Sequence, residues 1–151
     1  MLPDGWGFPG VPMLRGVVSL VVGFLLLPLL MRMAQAAVLA ARPDLLAPLK
    51  AGALDGLTSP PTAFMIVNLV LAVVAAGLSA AVTARLAPHP SFLWVLLLAF
   101  LVFAGGLVFG VQQTGDVTPT WYLLAMPMTS GLAIAAGGFA YLAWRDRRAG
   151  P

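Results

Sequence analysis

The one histidine of the chain, His89, stands between two prolines in the stretch "APHP". A protein metal centre needs several ligands, and the sequence offers no second histidine and no cysteine. Its acids (Asp4, Asp44, Asp55, Asp116 and Asp146) are scattered over connections and tails. His89 therefore reads as a turn residue rather than a ligand, and no metal or other cofactor is expected. A nucleophile–base pair is equally hard to assemble: there is no thiol, no G-x-S-x-G elbow, and only this histidine as imidazole base. No phosphate loop or dinucleotide fingerprint occurs. The expectation is a protein that is not an enzyme.

The remaining polar residues of interest lie in greasy surroundings. Asn68 sits inside "FMIVNLVLAVVAAGLSAAVTARLAPHP". An unpaired amide in hydrocarbon is costly, so it must face another helix or water. It could touch a substrate or pigment, but an interhelical hydrogen bond worth about 0.6–2 kcal/mol explains it more simply. Gln35 reads the same way if the first helix extends that far. Ser19, Ser79 and Thr83 can bond back to their own helices. Arg85 reads as a membrane-edge anchor. No Asp, Glu, Lys or His falls within an apolar run, whereas proton-coupled transporters and pumps rely on buried ionisable relays.

The elements holding these residues follow from composition. Of 151 residues, 61% are hydrophobic and 9% charged, against about 25% charged in a soluble domain. So few charges cannot cover a water-facing surface, and the bilayer must be the solvent for much of it. The net charge of +3 comes from basic residues placed mostly beside apolar segments, which is membrane-flanking charge and not a nucleic-acid groove.

The fold expected is all-α: a single membrane domain over 1–151, with four transmembrane helices in an antiparallel bundle. The spans are placed at about 14–41, 62–86, 90–112 and 119–144, after an irregular Gly- and Pro-rich start. In the first, Arg15 and Arg32 stand 17 residues apart, about 25 Å along a helix, and both can snorkel to headgroups. "AQA" at 34–36 offers a signal-peptide alternative, but the apolar tract continues past it. Pro28 and Pro127 should kink their helices. The polar loop 42–61 has room for a short interfacial helix. "APHP" is so short that the second and third spans must form a hairpin. Trp121 and Tyr122 at one end of the fourth span, with Tyr141 and Trp144 at the other, make an aromatic belt. Even-numbered crossing puts both termini on one side. Arg15, Arg85, Arg145, Arg147 and Arg148 lie there, against Arg32, Arg42 and Lys50 opposite, which favours cytoplasmic termini.

Two groups of residues stand out as surfaces. Ala72, Ala76, Ala80 and Ala84 recur every fourth residue, with Gly77 beside them. Gly106 and Gly110 form G-x-x-x-G, and Gly131, Ala135, Gly137 and Gly138 pave the fourth span. Small residues let membrane helices approach closely, either within the bundle or toward a partner. The second group lies in "VQQTGDVTPTWYLLAMP": Gln112, Gln113, Asp116, Thr118, Trp121 and Tyr122 gather at one membrane face. This is a candidate binding face, or simply the polar turn and aromatic anchor that any membrane hairpin needs.

The segments "LRGVVSLVVGFLLLPLL", "TAFMIVNLVLAVVAAGLSAAVTARLAP" and "QQTGDVTPTWYLLAMP" resemble small, functionally uncharacterised four-helix membrane proteins of bacteria. The features that carry the likeness are Arg15 and Gly16 opening the first span, Asn68 in the second, the run Thr83 to Pro88, and Pro119 with Trp121 and Tyr122. The likeness covers most of residues 14–143 and implies a four-helix protein of the bacterial inner membrane, without an activity. The functional expectation is a non-enzymatic accessory or scaffold subunit packing against a larger membrane complex. The alternative is a small homo-oligomeric transporter or channel lined by Asn68 and the two proline kinks. The expected partners are the lipid bilayer and other membrane subunits or further copies of the chain.

Overall fold

The computed structural model describes residues 10–43, 61–88, 91–112 and 118–149. They form four helices: α1 Gly10–Ala41, α2 Thr62–Leu86, α3 Ser91–Gln112 and α4 Thr120–Ala149. No strand occurs among the described residues. All four helices are long and apolar enough to cross a membrane, and they pack against one another. They are consistent with a small multi-pass integral membrane protein in direct contact with lipid. Large apolar side chains cover the outside, with Leu25, Phe100 and Leu132 more than half exposed. In water such a surface would be a severe liability, whereas hydrocarbon solvates it.

The helix ends follow local chemistry. α1 begins four residues before the apolar run predicted from Leu14, so Gly10 to Met13 are helical rather than irregular. α2 starts after Pro61, whose carbonyl accepts from the Met65 amide at 3.1 Å. It stops at Leu86 because the next residue, Ala87, precedes a proline and is driven into extended backbone (φ −66°, ψ 144°). The Arg15 guanidinium donates to the Leu86 carbonyl at 3.2 Å, which serves one of the acceptors that a helix C-terminus leaves open. α4 continues past Trp144 through "RDRR" to Ala149, where Arg147 and Arg148 oppose the negative end of the helix dipole. The Arg148 guanidinium lies 4.2 Å from the Trp144 ring centroid, a cation–π contact at the edge of the belt. Both α1 and α4 run on through their internal prolines. The proposed interfacial helix and His89 fall among residues 44–60 and 89–90, outside those described.

The contacts fix an up-down-up-down arrangement. The start of α1 meets the start of α3, where Trp94 lies over Gly16, and the end of α2, where Arg15 reaches Leu86. α2 and α4 run in parallel and share the most extensive interface, followed by α3 with α4 and α1 with α2. α1 meets α3 only narrowly. Small residues dominate the core: Ala76, Ala80 and Ala84 of α2 pack with Val95, Leu98 and Ala99 of α3 and Ile134 of α4. Without a hydrophobic drive between helices in lipid, close approach supplies the cohesion, and small side chains permit it.

Candidate functional site

Three polar side chains from three helices meet near one end of the bundle. The Gln35 amide of α1 donates to Asn68 Oδ1 of α2 at 2.6 Å. Asn68 Nδ2 in turn donates to the Tyr122 hydroxyl of α4 at 2.5 Å. Asn68 is buried, and this chain of bonds uses both ends of its amide. Gln35 lies six residues before the end of α1 and Asn68 six after the start of α2, while Tyr122 opens α4. Helix ends at the same level bring the three together about 9 Å in from the end of α2, at 1.5 Å per residue.

A second polar layer ties α1 to α2 nearer the other end. The Ser79 hydroxyl donates to the Gly23 carbonyl, and Thr83 Oγ1 lies 3.4 Å from the Ser19 carbonyl and 3.0 Å from that of Ser79. Ser19 bonds back to Gly16 at 2.7 Å. Sequence reasoning assigned Ser79 and Thr83 to their own helix; the close approach of α1 at Gly23 draws Ser79 onto the neighbour instead and shares Thr83 between the two helices. A Cβ on Gly23 would run into the Thr83 side chain.

The small-residue faces have distinct neighbours. Ala72, Ala76 and Ala80 are each buried to within 2%. Gly77 receives Gly137, whose Cβ, if present, would lie 2.7 Å from the Gly77 Cα and 2.9 Å from its carbonyl oxygen. Gly106 lies under Pro127, where an added Cβ would come within 2.7 Å of that ring's Cβ, and a Cβ on Gly110 would lie 3.6 Å from the Leu123 carbonyl oxygen. The latter carbonyl is the one that Pro127, lacking an amide hydrogen, leaves without its helical donor.

The structure divides the face predicted around Gln112, Gln113, Asp116, Trp121 and Tyr122. Tyr122 turns inward to Asn68, while Trp121 stays exposed and stacks edge-on against it, with 5.7 Å between ring centroids. The Gln112 side chain, and Gln113 and Asp116 altogether, lie outside the described residues. Comparison with protein-family models, with curated proteins and with solved structures found no match.

Beside the Gln35–Asn68–Tyr122 layer lies a cavity of about 560 Å³, open to the outside between α1 and α3. Its α1 wall is the stripe Phe24, Leu27, Pro28, Met31, Arg32 and Gln35, and its α3 wall runs from Leu101 to Phe109. Ala72, Met126 and Ser130 close the back. Its volume falls within the roughly 300–1,000 Å³ of small-molecule sites. A smaller space of about 360 Å³ between α3 and α4 shares Gly106, Met126 and Ser130 with it. Sequence reasoning missed the cavity. Its signal was weak: α1 and α3 are not consecutive in the chain, and Gly105 and Gly106 thin the α3 wall.

Proposed function

We propose that the protein is a non-enzymatic subunit of a larger membrane assembly, residing in the inner membrane of a bacterium with both termini in the cytoplasm. The observation that supports this reading best is the exposure of α1. Only α2 packs extensively on α1, and its contact with α3 is weak. Val18, Val21, Val22, Leu25 and Leu29 consequently face outward along much of its length. A helix held on one side is a ready place for a partner's helix. The polar side chains point the same way, because Gln35, Asn68, Tyr122, Ser79 and Thr83 serve helix–helix contacts. A transport path through Asn68 would have to break both of its bonds.

Purification in a mild detergent followed by native electrophoresis tests the proposal. The protein should migrate with an assembly several times its own 15.7 kDa, and specific membrane proteins should co-purify with it. Bulky substitution of Val22 or Leu29, which face outward, should release it from that assembly. A lone monomer with no companion would overturn the subunit role.

A further inference from the structure

The cavity between α1 and α3 combines three features that a bare packing defect lacks. First, Arg32 lines it, is exposed, and has no carboxylate or hydrogen-bond partner among the described residues. Second, Ser130 is only 7% exposed and lies against both the cavity and its smaller neighbour, yet its hydroxyl has no hydrogen-bond partner among the described residues. A helical serine ordinarily satisfies itself on the carbonyl one turn back. Third, Gly105 leaves the α3 wall open: a Cβ there would meet nothing within 4 Å.

Shape adds to chemistry. From Phe24 to Gln35 the cavity wall on α1 spans eleven residue steps, or about 16 Å at 1.5 Å per residue, close to half of a hydrocarbon core about 30 Å thick. The slot is thus one leaflet deep, opens sideways to the bilayer, and carries its cation toward the end nearer the membrane edge. A guanidinium pairs with phosphate through two parallel hydrogen bonds, which a zwitterionic surface offers less freely.

We propose that this slot binds one anionic phospholipid drawn sideways from the bilayer. Its phosphate rests on Arg32, and one acyl chain runs down the α1 stripe toward Phe24. The Ser130 hydroxyl can donate to an ester carbonyl below the phosphate. The site requires no protein partner, so it stands or falls separately from the subunit role.

Native mass spectrometry of the full chain, stripped of lipid in detergent and offered one lipid at a time, tests this. The probes are phosphatidylglycerol, phosphatidylcholine of the same chains, and oleate. Phosphatidylglycerol should give a one-to-one adduct at least about tenfold tighter than phosphatidylcholine, since a charge-assisted pair worth about 1.4 kcal/mol is a factor of ten. Arg32→Gln should remove that preference. Gly105→Leu, whose Cβ would meet nothing within 4 Å and whose isobutyl group would occupy the slot, should abolish the adduct while circular dichroism and elution volume stay those of the parent. Equal retention of the two phospholipids would overturn the proposal. So would an adduct that survives Gly105→Leu, or retention of oleate without phosphatidylglycerol. If Gly105→Leu disturbed the fold, Arg32→Gln alone would decide, because an exposed arginine can be exchanged without loss of packing.

Discussion

Gly137→Ala should destabilise the bundle by about 1–3 kcal/mol, the usual cost of forcing a methyl into a filled core, while Gly77→Ala in the facing helix should be nearly neutral. The asymmetry is the informative part, because the two glycines touch each other. The new Cβ on residue 137 would lie 2.7 Å from the Gly77 Cα and 2.9 Å from its carbonyl oxygen. Those are backbone atoms, which no rotamer change can move aside, so α2 and α4 must separate along their largest shared interface. A Cβ on residue 77 meets nothing within 4 Å. Reversible unfolding in mixed micelles, with denaturing detergent as the variable, measures both. Equal costs would mean that the helices cross elsewhere.

Asn68→Leu should cost about 1–3 kcal/mol, because it strands two polar groups at once. Single interhelical hydrogen bonds in membranes average only about 0.6 kcal/mol, with a maximum near 1.7, so one lost bond alone would give less. Here the Gln35 amide loses its acceptor and the Tyr122 hydroxyl its donor, and both partners are part-buried between helices. Tyr122→Phe removes a single bond and should cost less than Asn68→Leu. Gln35→Leu combined with Asn68→Leu should cost less than the sum of the two single changes, because each alone leaves the other's amide unpaired. Strict additivity would mean that the three groups do not form one network.

Much of the architecture was legible because bilayer physics writes it in large letters. Apolar runs of spanning length, bounded by Arg15, Arg85 and "RDRR", marked four helices whose inner ends the structure reproduces to within a residue or so. The alanine ladder from Ala72 to Ala84 pointed to the face of α2 that carries the core. The outer ends were harder to read. α1 starts earlier than the apolar tract, and α4 runs on into charge, since a helix that has left hydrocarbon continues as long as its backbone bonds hold.

The site was half legible. Asn68 announced a need for partners, and Gln35 shared its problem. Equal distances from helix ends on the same side would have paired them, had depth been counted from both ends. Tyr122 was harder, since an aromatic at a membrane edge has a sufficient reason to be there without any hydrogen bond. The cavity was barely legible. It depends on how far α1 stands from α3, a distance set by side chains that neither helix shares in sequence.

The most direct test of the account concerns its solvent. The chain has no cysteine, so single cysteines can be placed without removing any. Leu25, Val74, Phe100 and Leu132 lie on different helices and are each more than half exposed, yet the account places them in hydrocarbon. Cysteines at these four positions, in native membranes, should resist a water-borne maleimide and react only after the membrane is dissolved and the protein unfolded. Cysteines beside Arg148, at the far end of α4, should label readily from one side. Prompt labelling of residues 25, 74, 100 and 132 in intact membranes would contradict the reading of these helices as membrane-spanning.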